Sequence, residues 1–112
     1  MKQIIAYIKP AIVERVTEAL RNVDGLTGMS VIDARGFGRG RGACPSLINS
    51  QATPFNRKVR IEIMTSDAIV WEVVDTIQQQ ALTGEQGDGK IYVLNVAEAV
   101  RVRTNERGEA AV

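Results

Sequence analysis

The sequence predicts an α+β sandwich, and two observations lead to that prediction. Segments typical of strands and helices follow one another in the order strand, helix, strand, and this order occurs twice within 112 residues. Residues 36–57, which show no regular pattern, separate the two halves. A repeated βαβ order of this length is typical of a ferredoxin-like βαββαβ sandwich, with an antiparallel sheet and both helices on one face. We therefore predict a single domain over residues 1–112.

The first half begins with a strand over Gln3–Ile8, a β-branched and aromatic run. Pro10 suits the first turn of the helix that follows, because its missing N–H has no helical partner at that position. Asp24 and Gly25 end this helix, and Met29–Arg35 is the second predicted strand. The apolar stripe of the helix recurs every three or four residues, as expected of one buried face, and consists of Val13, Val16, Leu20 and Val23.

The second half repeats this order. Lys58–Ile63 alternates between apolar and charged residues, which is typical of a half-buried strand. Ser66 or Asp67 is placed to cap the next helix. Ile91–Val96 is the fourth predicted strand, and the charged stretch Arg101–Val112 is expected to be a mobile tail. The apolar stripe of the second helix consists of Val70, Val73, Val74 and Ile77, extended by Ala81.

Apolar residues occupy both faces of the first and fourth predicted strands. Helices can cover only one of these faces, so the second apolar face predicts oligomerisation through the sheet. The residues concerned are Ile4, Ile5, Tyr7 and Ile8 in the first strand, and Tyr92, Val93, Leu94 and Val96 in the fourth.

The composition excludes several classes of protein. The chain has no histidine and a single cysteine, Cys44, which removes histidine-dependent catalysis, the usual transition-metal sites and intramolecular disulfides. A formal net charge of +1 argues against a dedicated nucleic-acid-binding protein. No apolar run is long enough for a membrane span, and Ile4–Ile8 is too short for a signal peptide. The commonest catalytic groups are therefore missing, although an enzyme could still use carboxylates or lysine, and a reducing, cytoplasmic setting is expected.

The stretch Thr83–Lys90, TGEQGDGK, is the most informative local pattern. Glycines let successive backbone N–H groups point at one anion, and Lys90 adds a positive charge suited to phosphate. The stretch is not a P-loop, because a strand rather than a helix follows and no GK[ST] occurs. An ordinary tight turn with Lys90 as an edge charge is the alternative interpretation.

Arginines form two further clusters. Arg101 and Arg103 flank Val102, so both would face one side of an extended segment. Two guanidinium groups on one side could clamp a polyphosphate. A solvated basic tail is the alternative interpretation. The stretch Arg35–Gly42, RGFGRGRG, resembles an RNA-binding arginine–glycine segment in composition. It occurs once, between two predicted strands, so a hinge and phosphate loop is the better local interpretation, with a flexible linker as the alternative.

In combination, these motifs resemble the PII signal-transduction family over nearly the whole chain. The matching segments run in the family's order, and Thr83–Val93 is close to its C-terminal signature. The segments are YIKP, VTEAL, TGMSV, RGFGRGRG, KVRIEI, VVDTI, TGEQGDGKIYV and VRVRT.

The resemblance implies a homotrimer with ATP, ADP or AMP bound in clefts between subunits. It also implies a regulatory protein that is not an enzyme and has no catalytic residues, metal or tightly bound cofactor. It implies a T-loop over about 37–57 that engages a protein target, either a membrane transporter or a metabolic enzyme. It also implies a phosphate-side B-loop over 83–90 and a C-terminal tail over 101–112, with Arg101 and Arg103 reaching the phosphates of the adjacent subunit. The nucleotide-binding residues carried over are Ser30, Gly36, Phe37, Gly38, Arg39, Met64, Gly87, Asp88, Gly89, Lys90, Arg101 and Arg103.

One departure from the family's pattern bears on the effector. Nitrogen sensors of the family carry a glutamine after GFGR that helps to hold magnesium and 2-oxoglutarate, whereas this chain has Gly40. A divergent, carboxysome-associated branch is similar in this respect and responds to adenine nucleotides and bicarbonate. We therefore expect a sensor of energy state and a small anion such as bicarbonate, held near Gly40, Arg41 and Lys58. The alternative is a nitrogen-regulatory protein that senses 2-oxoglutarate and controls an ammonium transporter or an enzyme of nitrogen assimilation.

Two other functions are weaker hypotheses. An acylphosphatase-like enzyme on the same fold needs an arginine in a phosphate loop after the first strand, and the segment there is KPAIVERV, with neither glycine nor arginine in the turn. RNA binding through Arg35–Gly42 lacks an aromatic stacking face.

Overall fold

The computed structural model describes residues 1–38 and 55–112 of the chain. Two single-turn 3-10 helices, Pro10–Ile12 and Gly108–Ala111, accompany the main elements. The main elements are β1 (Lys2–Ile8), α1 (Val13–Arg21), β2 (Ser30–Gly36), β3 (Asn56–Thr65), α2 (Val70–Ala81) and β4 (Gly89–Asn95).

The four strands form one antiparallel sheet in the order β2-β3-β1-β4. The central strand β1 pairs with β3 from Lys2 opposite Thr65 to Ile8 opposite Val59, and with β4 from Lys2 opposite Asn95 to Ile8 opposite Gly89. This topology confirms the predicted ferredoxin-like α+β fold. The trimer stays a prediction, because the structure describes a single chain.

The core lies between one face of the sheet and the two helices. Because side chains alternate along a strand, every second residue of β1 and β3 faces the helices. Burying one such aliphatic side chain contributes about 1.5–3 kcal/mol. The fully or almost fully buried residues are Ile4, Ala6 and Ile8 of β1, Val59, Ile61 and Ile63 of β3, Val16 and Leu20 of α1, and Val70, Val73 and Ile77 of α2.

The opposite face of the sheet, here called the outer face, lacks a helical cover among the described residues. It carries the exposed side chains of Met64, Tyr92 and Leu94, in agreement with the predicted second apolar face. It is not purely apolar, because Arg60 lies over the Tyr7 ring at 5.9 Å and forms a 3.0 Å ion pair with Glu62. A mixed surface of this kind suits both subunit association and ligand contact.

Three predicted boundaries are corrected. β2 extends through Gly36 and β3 begins at Asn56, so the segment between them is 37–55 rather than about 37–57. α2 begins only at Val70, and neither Ser66 nor Asp67 caps it. The physical reason is that the Asp67 carboxylate accepts a 2.9 Å hydrogen bond from the Met1 ammonium instead.

The C-terminal segment is neither extended nor a free tail. Residues 102–104 form a turn that is closed by the bridge between Val100 and Arg107. The Arg101 N–H donates to the Glu106 carbonyl at 2.9 Å, and the Asn105 N–H donates to the Arg101 carbonyl at 2.8 Å. These hydrogen bonds satisfy the backbone locally, which explains why the segment folds back. Among the described residues, no helix is long and apolar enough to cross a membrane.

Candidate functional site

The B-loop, Thr83–Lys90, leaves the C-terminus of α2 and enters β4. Gly89 begins β4 with φ of 114° and lies directly against β1. A Cβ atom at this position would come within 1.8 Å of the Tyr7 carbonyl oxygen. Only glycine therefore allows the loop to enter the sheet in this register.

Asp88 organises the B-loop from within. Its carboxylate accepts hydrogen bonds from the Thr83 N–H at 2.8 Å and the Gly84 N–H at 2.9 Å, and it also accepts one from the Thr83 hydroxyl. The Thr83 hydroxyl hydrogen bond is the main reason why the pKa of Asp88 lies well below its usual value, followed by the Thr83 N–H. The hydrogen bonds and the ion pair of Asp88 among the described residues are made with Thr83, Gly84 and Lys9, and its predicted place at the nucleotide stays a prediction.

Lys9 lies against the same loop, although it was not among the predicted site residues and entered the sequence analysis as part of the YIKP segment. Its ammonium is 3.1 Å from the Asp88 carboxylate and 3.4 Å from that of Glu85, and it donates to the Thr83 hydroxyl at 3.3 Å. The Asp88 hydrogen bond is the main reason why the pKa of Lys9 is raised. The sequence places Lys9 directly after β1. Its contact with the B-loop could be predicted only by knowing that the end of β1 pairs with the start of β4.

Lys58 joins the B-loop to the strands that flank residues 37–55. Its ammonium donates a 2.8 Å hydrogen bond to the Gly87 carbonyl. A Cβ atom on Gly36 would lie 3.5 Å from Lys58 Cγ, and one on Gly87 would lie 3.6 Å from Lys58 Nζ. The predicted residues Gly36, Lys58 and Gly87 therefore lie close together at one end of the sheet, where the end of β2 meets the starts of β3 and β4.

Lys90, Ser30 and Met64 all lie on the outer face of the sheet. Lys90 pairs with Tyr7, which in turn pairs with Arg60, so these three residues form one row across three strands. Met64 lies four residues further along β3, about 13 Å away at the rise of a strand. The resemblance implies that Met64 lines the adenine side of a nucleotide, and this residue is separated along one surface from the phosphate-side loop, as the two ends of one ligand require.

Arg101 and Arg103 do not reach the B-loop of their own chain. The Arg101 guanidinium contacts the Glu106 carboxylate at 3.1 Å and the Ala110 carbonyl at 3.2 Å. This region lies near Met1, whose ammonium is 3.8 Å from Glu109, whereas the B-loop lies at the opposite end of β1. The two arginines could serve a B-loop only in another copy of the chain.

The remaining predicted residues either are exposed at the end of β2 or lie outside the described part of the chain. Phe37, at 69% exposure, and Gly38 follow β2 directly and are both exposed. Arg39, Gly40 and Arg41 lie outside the described residues, as does Cys44.

Glycines and lysine side chains meet at the B-loop, a combination that suits an anionic ligand. Lys9, Lys58 and Lys90 bring positive charge to a glycine-rich loop, and such loops bind anions through backbone N–H groups. Among the described residues, no group of three or more acidic, cysteine or histidine side chains could hold a metal ion. The fold and the site together define a small ferredoxin-like domain with a glycine-rich loop and three lysines at one end of its sheet.

Comparison with known proteins places this domain in a family. The family model "Nitrogen regulatory protein P-II" matches residues 1–106. Curated relatives named nitrogen regulatory protein P-II share 44% identity in Rhodospirillum rubrum and 46% in Klebsiella oxytoca, and nitrogen regulatory protein P-II 1 of Escherichia coli K12 shares 46%. In each case the alignment covers 100% of both chains. The chain belongs to the nitrogen regulatory protein P-II family.

This membership confirms the resemblance found in the sequence and the prediction of a regulatory protein that is not an enzyme. The names of the relatives favour the nitrogen-regulatory alternative over the expected bicarbonate and carboxysome function.

Proposed function

We propose that this chain is a nitrogen-regulatory signalling protein that binds an adenine nucleotide along the outer face of its sheet. The phosphates lie against the B-loop and Lys90, and the base lies toward Ser30 and Met64. The observation that carries the proposal is the hydrogen bond from Lys58 to the Gly87 carbonyl, because it links the phosphate loop to the strands on either side of residues 37–55. A ligand that moves the B-loop can thereby change the segment that meets the target.

The second effector is proposed to be 2-oxoglutarate. The names of the relatives support nitrogen control. Lys58 donates to the neutral Gly87 carbonyl in the described part of the chain, and it is suited to exchange that partner for a carboxylate. Bicarbonate, proposed from Gly40, is the second candidate and needs the same cation, so both belong in one experiment.

The assembly proposed for this function is a homotrimer in the cytoplasm. Arg101 and Arg103 lie at the far end of the sheet from their own B-loop, which supports a site completed by a neighbouring subunit. The target is proposed to be a membrane transporter or a metabolic enzyme rather than a nucleic acid.

Calorimetric titration with ATP, ADP and AMP tests the nucleotide site. We expect binding of at least one of them, and we expect Lys90→Ala to weaken it by about tenfold or more, because a charge-assisted contact to phosphate is worth roughly 1.5–3 kcal/mol. Lys2→Ala is the matched control, since Lys2 lies at the other end of the sheet, where it hydrogen-bonds Asn95. Absence of binding at millimolar concentration contradicts the proposal.

The effector is tested by repeating the titration with 2-oxoglutarate or bicarbonate present. We expect 2-oxoglutarate to bind only when nucleotide is present, and Lys58→Ala to abolish that binding. A response to bicarbonate alone would instead support the inorganic-carbon function.

A further inference from the structure

Lys9 is saturated by acceptors inside the B-loop. An ammonium has three N–H donors, and Lys9 has three acceptors within 3.4 Å, namely Asp88, Glu85 and Thr83. Lys58, by contrast, contacts one carbonyl of the same loop. The side chains of Lys9 and Asp88 are only 25% and 20% exposed, so this pair is partly shielded from water.

Asp88 creates an electrostatic problem for a phosphate ligand. It lies between Gly87 and Gly89, in the loop whose N–H groups are proposed to receive phosphate. Its hydrogen bonds from two N–H groups and one hydroxyl favour the ionised carboxylate. A negative charge at this place repels a polyphosphate unless another group neutralises it.

We propose that Lys9 is a positioning residue of the nucleotide site, which neutralises Asp88 and holds the B-loop without touching the phosphates. This inference rests on the proposed function, because it assigns a role within the same site. It predicts that Lys9 acts on affinity through Asp88, whereas a direct phosphate contact would act independently of Asp88.

A double-mutant cycle between Lys9→Gln and Asp88→Asn separates these two roles. Affinities for ATP, ADP, AMP and adenosine are measured by calorimetry in the four proteins. In the background that keeps Asp88, we expect Lys9→Gln to weaken ATP binding by about tenfold, within the range of coupling between contacting groups, with smaller losses for ADP and AMP and none for adenosine. In the Asp88→Asn background, we expect the same change to weaken ATP binding by less than about twofold, because the charge that Lys9 neutralises is gone.

The conservative variant Lys9→Arg provides the rescue, since it keeps the positive charge beside Asp88. We expect it to bind ATP within about threefold of the unaltered chain. Melting temperatures of all variants accompany the titrations, so that loss of the fold is recognised.

The outcomes distinguish this inference from the proposed function. Equal losses from Lys9→Gln in both backgrounds, or equal losses for ATP and adenosine, overturn the positioning role while leaving nucleotide binding intact. Absence of nucleotide binding by the unaltered chain overturns both proposals.

An NMR measurement keeps the inference falsifiable if Asp88→Asn fails to fold. In the nucleotide-free chain, Lys9→Gln is expected to shift the amide resonances of Thr83 and Gly84, which donate to Asp88. Unchanged resonances would show that Lys9 does not hold the loop. Arg21→Gln, an exposed change in the last turn of α1, is the control that should leave these amides in place.

Discussion

Gly84 and Gly89 show how the surroundings of a residue decide what a substitution does. Both have positive φ, 86° and 114°, which disfavours any other residue. A Cβ on Gly84 meets nothing within 4 Å, whereas one on Gly89 would lie 1.8 Å from the Tyr7 carbonyl oxygen. The B-loop therefore restricts substitution at Gly84 through its backbone conformation alone, and at Gly89 through both the conformation and a steric clash with β1.

From this contrast we expect Gly84→Ala to cost about 1–2 kcal/mol of folding stability, the usual cost of a left-handed conformation. Gly89→Ala should cost clearly more, because β4 must also move away from β1. Urea denaturation followed by circular dichroism measures both. Equal destabilisation by the two variants would contradict the described packing of Gly89 against Tyr7.

Asp88 also gives a prediction about pH. Its pKa is lowered in the folded chain, chiefly by the Thr83 hydroxyl hydrogen bond. A group with a lowered pKa stabilises the fold above its unfolded pKa, near 3.8, and loses this contribution as the pH falls through the folded value. We therefore expect the Asp88 carboxylate to remain ionised from about pH 7 to about pH 4, as carbon-detected NMR can measure. A titration midpoint at or above the ordinary pKa would contradict the Thr83–Asp88 hydrogen bonds.

At the scale of elements, local patterns predicted the strands and helices but not their ends. The stripe of α2 was predictable because Val70, Val73 and Ile77 recur at helical spacing and are all buried. The start of α2 was not, since Asp67 binds the Met1 ammonium, a partner 66 residues away in the chain. The turn over residues 102–104 likewise depends on hydrogen bonds that composition does not reveal.

The same distinction holds for the site. The glycine loop and Lys90 were predictable because they form a compact motif. The role of Lys9 was not, because it follows from the pairing of Ile8 with Gly89, two residues that lie far apart in the chain.

The packing of α2 gives the prediction at this scale. Ile77 is fully buried between the helices and the sheet, whereas Gln79 on the same helix is exposed. We expect Ile77→Ala to cost about 2–5 kcal/mol, because it leaves a cavity in the core, and Gln79→Ala to change stability by less than about 0.5 kcal/mol. Denaturant unfolding of the two variants measures the difference, and a similar effect of both would argue against the described orientation of α2.

At the scale of the molecule, the outer face remains to be accounted for. Tyr92 and Leu94 are 48% and 43% exposed on a sheet face without a helical cover among the described residues. Association with other copies would remove this apolar surface from water, which favours the assembly. It would also allow Arg101 of one subunit to approach the B-loop of another.

We therefore expect light scattering to give a mass about three times that of the 12.2 kDa chain. Leu94→Arg should shift the protein toward the monomer and weaken nucleotide binding, because both need the adjacent subunit. Arg21→Gln again serves as a control on the helical side. A monomeric unaltered chain that still binds nucleotide tightly would contradict this assembly.

The order of the strands has a consequence for how the chain folds as it is synthesised. β1 is synthesised before the other strands, yet its two neighbours in the sheet are β3 and β4. Lys2 can therefore pair only after Thr65, and then Asn95, has been synthesised. Pairings between such distant positions form slowly, because a long stretch of chain must be closed first. Until then the apolar side chains of Ile4 and Ile8 have no sheet to join, and the newly made segment is open to non-native association. The central strand of the finished sheet is thus exposed to non-native association until synthesis has passed Asn95.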